Sequence, residues 1–233
     1  MRRGGSSVIL PRKRHKLPHM IYENRSDAGK RLTRELAAYK GQRPIILALP
    51  RGGVAVAAEV ARALDAPLDL VLVRKLGVPM QPELAMGAIV DGAEPYIVRN
   101  EDILSLLALP EGEFERICER ELAEIERRRK LYLRNRPRAD VKGRTVIVVD
   151  DGIATGATTR AALRAIRKKG PQKLVLAVPV APTSTVHELS GEADEIVCLQ
   201  QHEPFYAIGL YYADFHQVGD QEVVGILSEL RAP

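Results

Sequence analysis

Apolar positions come in short unbroken runs separated by stretches with helical spacing, and one such run frames the rest. Val146-Ile147-Val148-Val149 reads as a strand buried on both faces, the pattern of a parallel sheet. Asp150 and Asp151 stand where that strand must end, followed by the loop Gly152-Ile153-Ala154-Thr155-Gly156. From Ala157 the spacing turns helical, with Ala161, Ala162, Leu163 and Ile166 among arginines until Gly170-Pro171 stops it. Similar runs predict strands at Ile45–Leu49, Leu68–Val73, Leu174–Val180 and Glu195–Leu199. Helical periodicity predicts helices at 26–40, with Ser26 or Asp27 as cap, from Gly52-Gly53 to Leu64, at 111–134 and around Ser184–Leu189. Met86–Val90 and Tyr96–Val98, on either side of Asp91-Gly92, predict a hairpin. Between Val73 and Ala85, Gly77, Pro79 and Pro82 predict an irregular loop. Strands alternating with helices make this an α/β chain with a parallel sheet flanked by helices.

Composition narrows the picture. At 233 residues with 45% hydrophobic content, one α/β domain with an ample core is expected, and no apolar run approaches a membrane span. The net charge of +5 comes from the first nineteen residues, where Arg2, Arg3, Arg12, Lys13, Arg14 and Lys16 meet no acid. The remainder carries 29 basic against 30 acidic residues, which gives no warrant for a nucleic-acid-binding surface. Residues 1–20 therefore read as a disordered basic tail and 21–233 as a single domain. Cys118 and Cys198 form no C-x-x-C pair and the five histidines are scattered, as expected of a reduced cytoplasmic chain without a zinc site.

The chemistry concentrates after Val149. A loop joining a strand's carboxyl end to a helix N-terminus presents free N–H groups and the positive end of the helix dipole, which suits a phosphate. Thr155 and Thr158 add hydroxyl donors. The aspartates repel that phosphate, so they call for sugar hydroxyls or a magnesium ion with its waters. Carboxylates for a sugar beside a cradle for its phosphate describe a phosphorylated ribose.

The run V-I-V-V-D-D-G-I-A-T-G-A-T resembles the signature of the type I phosphoribosyltransferases: a hydrophobic strand, two acidic residues and a small-residue loop. It lacks the Gly-Lys-Ser/Thr of a Walker loop and the G-x-G-x-x-G of a dinucleotide site. The resemblance extends from residue 22 to about 217. It implies a parallel-sheet fold with a small hood, around 200–217, and a flexible loop. It also implies Mg²⁺-dependent use of 5-phosphoribosyl 1-diphosphate (PRPP), a nitrogenous base as acceptor, and a homodimer.

Carried onto this sequence, Asp150 and Asp151 would hold the ribose hydroxyls, directly or through metal-bound water. Gly152, Ile153, Ala154, Thr155, Gly156, Ala157 and Thr158 would hold the 5′-phosphate. Pro50-Arg51-Gly52-Gly53 occupies the place of the family's pyrophosphate loop, which implies a cis Pro50–Arg51 peptide, a diphosphate contact from Arg51 and close backbone approach at Gly52 and Gly53. By itself P-R-G-G is an ordinary turn. Arg74, Lys75 and Glu83 fall on the segment matching the family's mobile loop and would act from it on the leaving diphosphate and the base. The segment 205–215 holds Phe205, Tyr206, Tyr211, Tyr212 and Phe215, five of the chain's ten aromatics. They form either a satellite core or a stacking platform for a base, with Phe205 and Tyr206 as the platform candidates. The position before Thr155-Gly156 is Ala154, not the aspartate of the hypoxanthine-guanine type, so the adenine and uracil types are the nearer match. A PRPP-sensing regulator without turnover and an accessory domain of a partner enzyme are the competing readings.

Overall fold

The computed structural model describes residues 21–233 apart from 93, 108, 135 and 231; the basic tail falls outside the described residues. Helix α1 (Arg25–Glu35) precedes strand β1 (Ile45–Ala48), helix α2 (Gly52–Leu64) and strand β2 (Leu68–Leu70). Strands β3 (Val73–Val78), β4 (Gln81–Val90) and β5 (Tyr96–Arg99) follow, then helices α3 (Glu101–Leu106) and α4 (Glu113–Leu133). The second half runs β6 (Thr145–Val149), α5 (Ala157–Lys168), β7 (Lys173–Pro182), α6 (Thr183–Leu189), β8 (Glu195–His202) and α7 (Asp220–Ser228).

A five-stranded parallel sheet in the order β2-β1-β6-β7-β8 forms the centre, flanked by helices. Its inner strands β1, β6 and β7 are almost wholly apolar because both faces are covered, whereas the edge strand β8 is only partly buried and carries Glu195, Gln200 and Gln201. Ile46, Ala48, Ile147 and Val149 face α2, α4 and α7 through Val60, Ile125 and Val223. Ile45, Leu47, Val146 and Val148 face α5 and α6 through Leu163, Ile166 and Leu189. Each fully buried Val, Leu or Ile contributes roughly 1.5–3 kcal/mol. The alternation therefore fixes the register, since a one-residue slip would exchange the two cores. Among the described residues no helix is long and apolar enough to cross a membrane.

Three details depart from the sequence reading. The expected strand 68–73 breaks at Val71-Leu72: Val71 N–H still donates to Ala48 O at 2.9 Å, but Leu72 O accepts from Asp91 N–H at 2.8 Å. The chain there leaves the parallel sheet for a second, antiparallel one, β3-β4-β5. The segment expected to be an irregular loop is thus β3, a turn at Pro79-Met80, and the start of β4. Gly77 sits at a register shift, and Pro82 lies where β4 has outrun β5, so no ladder bond from its missing N–H is lost on that side. Finally, α1 is capped by Asn24, whose side chain accepts from Asp27 N–H at 3.0 Å, while Ser26 donates to Glu59. The antiparallel sheet lies between α4 and α5, with Leu76 and Met86 in one core and Val90 in the other.

Candidate functional site

The carboxyl ends of β1 and β6 lie side by side, in register from Ile45 opposite Val146 to Ala48 opposite Val149. Two strand–loop–helix junctions therefore open on the same edge. At the first, the Pro50–Arg51 peptide is cis, and α2 begins at once with Gly52. Gly53 N–H donates to Leu49 O and Val54 N–H to Arg51 O, so the helix itself occupies those donors. A Cβ on Gly52 would fall 1.9 Å from Asp151 Oδ2, and one on Gly53 would fall 2.9 Å from Asp150 Cα. Both glycines let α2 approach the acidic pair. The Arg51 guanidinium leans toward Asp220 at the start of α7, 3.4 Å away, and Tyr132 O–H donates to that same carboxylate at 2.6 Å. The Tyr132 hydrogen bond holds Asp220 below the usual carboxylate range, and burial pushes Tyr132 up to about 12.

At the second junction, Gly156 adopts φ +73° and α5 starts with no side-chain cap. Among the described residues, the N–H groups of 154–159 donate to no acceptor; the first N–H used belongs to Arg160, to Gly156 O at 2.8 Å. Ala154, Thr155, Ala157 and Thr158 are exposed around them. This is an array of free donors at the positive end of a helix. Buried neighbours hold it: Ile153 lies in the core, its N–H donates to Val180 O, and Thr185 O–H donates to Ala154 O at 2.9 Å. Gly152 is equally buried, for a Cβ there would meet Ile208 at 2.6 Å. Of the expected phosphate-loop residues, Gly152, Ile153 and Gly156 therefore anchor the loop, and Ala154, Thr155, Ala157 and Thr158 present its surface.

The two aspartates differ. Asp151 is buried, and its Oδ2 accepts from Arg25 Nε at 2.7 Å. Its carbonyl accepts from Tyr212 O–H at 2.5 Å, and its N–H donates to Asp150 Oδ1 at 2.8 Å. Among the described residues Asp150 forms no ion pair, and Arg25 acts on it only at a distance, through its charge. Desolvation, with the Asp151 charge beside it, raises the Asp150 carboxyl well above the ordinary carboxylate range. A carboxylate in that position gains from any hydroxyl donor or cation brought to it. Among the described residues no cluster of three or more metal-ligating side chains exists.

Arg25 was not singled out in the sequence, and Tyr212 only as one of the aromatics at 205–215, not as a partner of Asp151. One signal for Arg25 was available: an arginine in the first turn of a helix opposes the dipole and needs another reason to be there.

Arg74 and Lys75 lie within β3, not at a strand end. Arg74 binds Glu121 of α4 through Nε and a terminal nitrogen, both at 2.7 Å. The pair line a cleft of about 480 Å³ with Gly77, Met80 and Arg120. Glu83 is on β4, and its side chain falls outside the described residues. Of the five aromatics at 205–215, Tyr211 and Tyr212 are core, packed with Tyr22 and Val180. Phe205 stacks on Tyr211 with ring centres 5.2 Å apart, Phe215 lies under Arg25, and Tyr206 is exposed.

Residues 19–214 match the phosphoribosyl transferase domain family. Relatives from two strains of Mycobacterium tuberculosis, provisionally named phosphoribosyl transferase, are each 45% identical over 207 residues. These matches cover 89% of this chain and 46% of each relative, so the chain spans about half the length of the curated relatives it matches. A crystal structure of a Thermus thermophilus protein aligns with a TM-score of 0.78 at 43% identity, covering 91% of this chain and 99% of that one.

Proposed function

The chain belongs to the phosphoribosyl transferase domain family, and from that premise we propose that it moves the 5-phosphoribosyl group of PRPP to a nitrogenous base, releasing pyrophosphate, with Mg²⁺. The single observation that carries this reading is the open donor array at 154–159 directly after the acidic pair. A phosphate and a sugar hydroxyl group one ribose apart match that arrangement in charge and order.

The N–H groups of 154–159, with the Thr155 and Thr158 hydroxyls, take the 5′-phosphate. The acidic pair Asp150-Asp151 serves the ribose hydroxyls or the waters of the ion. The bond from the anomeric carbon to diphosphate breaks as the base nitrogen approaches, through an oxocarbenium-like transition state. Little covalent work falls to the protein, which positions the reactants and stabilises the departing charge. The free N–H groups of Arg51 and Gly52, and the Arg51 guanidinium once released by Asp220, serve the diphosphate. Arg74, Lys75 and Glu83 approach from the β3–β4 hairpin, and Phe205 and Tyr206 offer ring faces to the base. With no cluster of three or more ligating side chains among the described residues, Mg²⁺ fits as an ion carried largely by substrate oxygens and water, and when bound it would neutralise diphosphate charge. We place the enzyme in the cytoplasm, as a homodimer; light scattering at micromolar concentration tests the dimer.

A second reading, a PRPP-binding regulator without turnover, is favoured by one observation: Arg74 and Arg51 are already paired with Glu121 and Asp220. Pyrophosphate release from PRPP and Mg²⁺, measured across a panel of purine and pyrimidine bases beside calorimetric PRPP binding, separates the two. Release with one base supports the transferase. Binding without release for every base supports the regulator, and no binding removes both.

A further inference from the structure

Asp151 and Asp150 are adjacent in sequence but not equivalent. Asp151 is gripped at its side chain by Arg25, at its carbonyl by Tyr212 and at its N–H by Asp150. The Arg25 and Asp151 side chains are only 8% and 12% exposed. Arg25 is itself immobilised: a terminal nitrogen donates to His216 O at 2.8 Å, and its guanidinium carbon lies 3.9 Å from the centre of the Phe215 ring. The pair fits only because residue 52 lacks a side chain, since a Cβ there would lie 3.1 Å from Arg25 Nε as well as against Asp151. One charge-assisted bond thus ties the first turn of α1, the start of α2, the end of β6 and the 205–216 segment together. An Asp151 carboxylate held in this way has a fixed direction and a satisfied charge.

We propose that Arg25 is a positioning residue for the sugar site: it commits Asp151 to the framework, so that Asp150 is the carboxylate presented to the ribose hydroxyls. The inference rests on the phosphoribosyl reading above. It predicts a selective defect. Without Arg25, the Asp151 carboxylate is unpaired beside Asp150, and the two acids compete for one geometry. Ligands that carry a ribose then lose affinity, while inorganic pyrophosphate, which makes no use of the ribose carboxylates, does not. Lysine keeps the charge but not the planar fork or the stacking on Phe215, so it restores part of the loss.

The test is calorimetric titration of folded wild type, Arg25→Ala, Arg25→Lys, Asp151→Asn and the double variant Arg25→Ala/Asp151→Asn with ribose 5-phosphate, PRPP and pyrophosphate. Arg25→Ala should weaken both ribose ligands about tenfold or more, as loss of a charge-assisted contact does, and leave pyrophosphate within about twofold. Arg25→Lys should recover part of that loss. The double variant should bind no more weakly than Asp151→Asn alone, because the two residues act as one unit. Unchanged ribose 5-phosphate affinity in Arg25→Ala, a parallel loss for pyrophosphate, or losses that add in the double variant would each overturn the role of Arg25 alone. If Arg25→Ala does not fold, the Arg25→Lys and Asp151→Asn titrations decide on the same criterion. A wild type that binds neither ribose ligand overturns the phosphoribosyl reading and Arg25 with it.

Discussion

Gly53 and Asp150 meet backbone to backbone: a Cβ on Gly53 would lie 2.9 Å from Asp150 Cα and 2.9 Å from the Val149 carbonyl oxygen. Neither of those atoms can rotate away, so any side chain at 53 must push α2 off the end of β6. Gly53→Ala should therefore cost about 1–3 kcal/mol, the usual range for overpacking, seen as a melting temperature several degrees lower. Gly191, where a Cβ meets nothing within 4 Å, is the control, and Gly191→Ala should melt with the wild type. Equal melting of the two variants would show that the α2–β6 approach is looser than described. The close backbone approach at Gly53 that the resemblance implied is thus a contact with β6, which makes a substitution there a folding lesion.

Arg74 provides a second prediction. Its guanidinium spans two 2.7 Å contacts to Glu121, whose side chain is 10% exposed against 33% for Arg74. Removing it leaves a mostly buried carboxylate with Arg120 at 3.2 Å as its remaining ion-pair partner among the described residues. After allowance for the solvent reaching Arg74, Arg74→Ala should destabilise by about 1–2 kcal/mol. Chemical denaturation measures this. A variant with wild-type stability and a large loss of pyrophosphate release would assign Arg74 to the chemistry rather than to the β3–α4 contact.

What the sequence made legible was what depends on short-range pattern. Val146–Thr158 announced its strand, acidic pair, loop and helix because buried β-branched runs and small-residue turns are local signals. The 45–64 unit was legible for the same reason, down to the cis Pro50–Arg51 peptide that the family resemblance implied. Residues 73–85 misled because glycine and proline usually end regular structure, whereas here Gly77 takes up a register shift and Pro82 sits beyond its neighbour strand. Arg25 was hidden for a different reason. Its partner lies 126 residues away, and nothing local shows that α1 and β6 end at one point. The division between Tyr211-Tyr212 as core, Phe205 half-buried against them and Tyr206 exposed was equally non-local, set by contacts with Tyr22 and Val180.

His216 gives a pH-dependent expectation. Its ring nitrogens lie 3.2 Å from Glu222 and 3.2 Å from Asp214, and these carboxylates, Glu222 foremost, raise its pKa above the ordinary 6.5. A folded-state value above the unfolded one means the stabilisation is fully present below pH 6.5 and is lost as pH rises through the folded value. An NMR titration should place the His216 midpoint above 6.5 in the wild type and lower in Glu222→Gln. An identical midpoint in both would mean that Glu222 does not face the ring in solution.

The central claim is that the acidic pair and the free N–H groups after it form a phosphoribosyl site, and Asp150 is the group whose loss tests it most directly. The Asp150 carboxyl is raised by burial and by its neighbour, so replacing it with asparagine removes the negative charge and one acceptor oxygen offered to the hydroxyls, keeps the side chain's size, and leaves no stranded charge. The measurement is isothermal titration of wild type and Asp150→Asn with PRPP in the presence of Mg²⁺, with thermal melts to confirm folding. Asp150→Asn should bind PRPP at least about tenfold more weakly, some 1.4 kcal/mol, and melt at or above the wild-type temperature. Undiminished PRPP affinity in a folded Asp150→Asn variant would contradict the account.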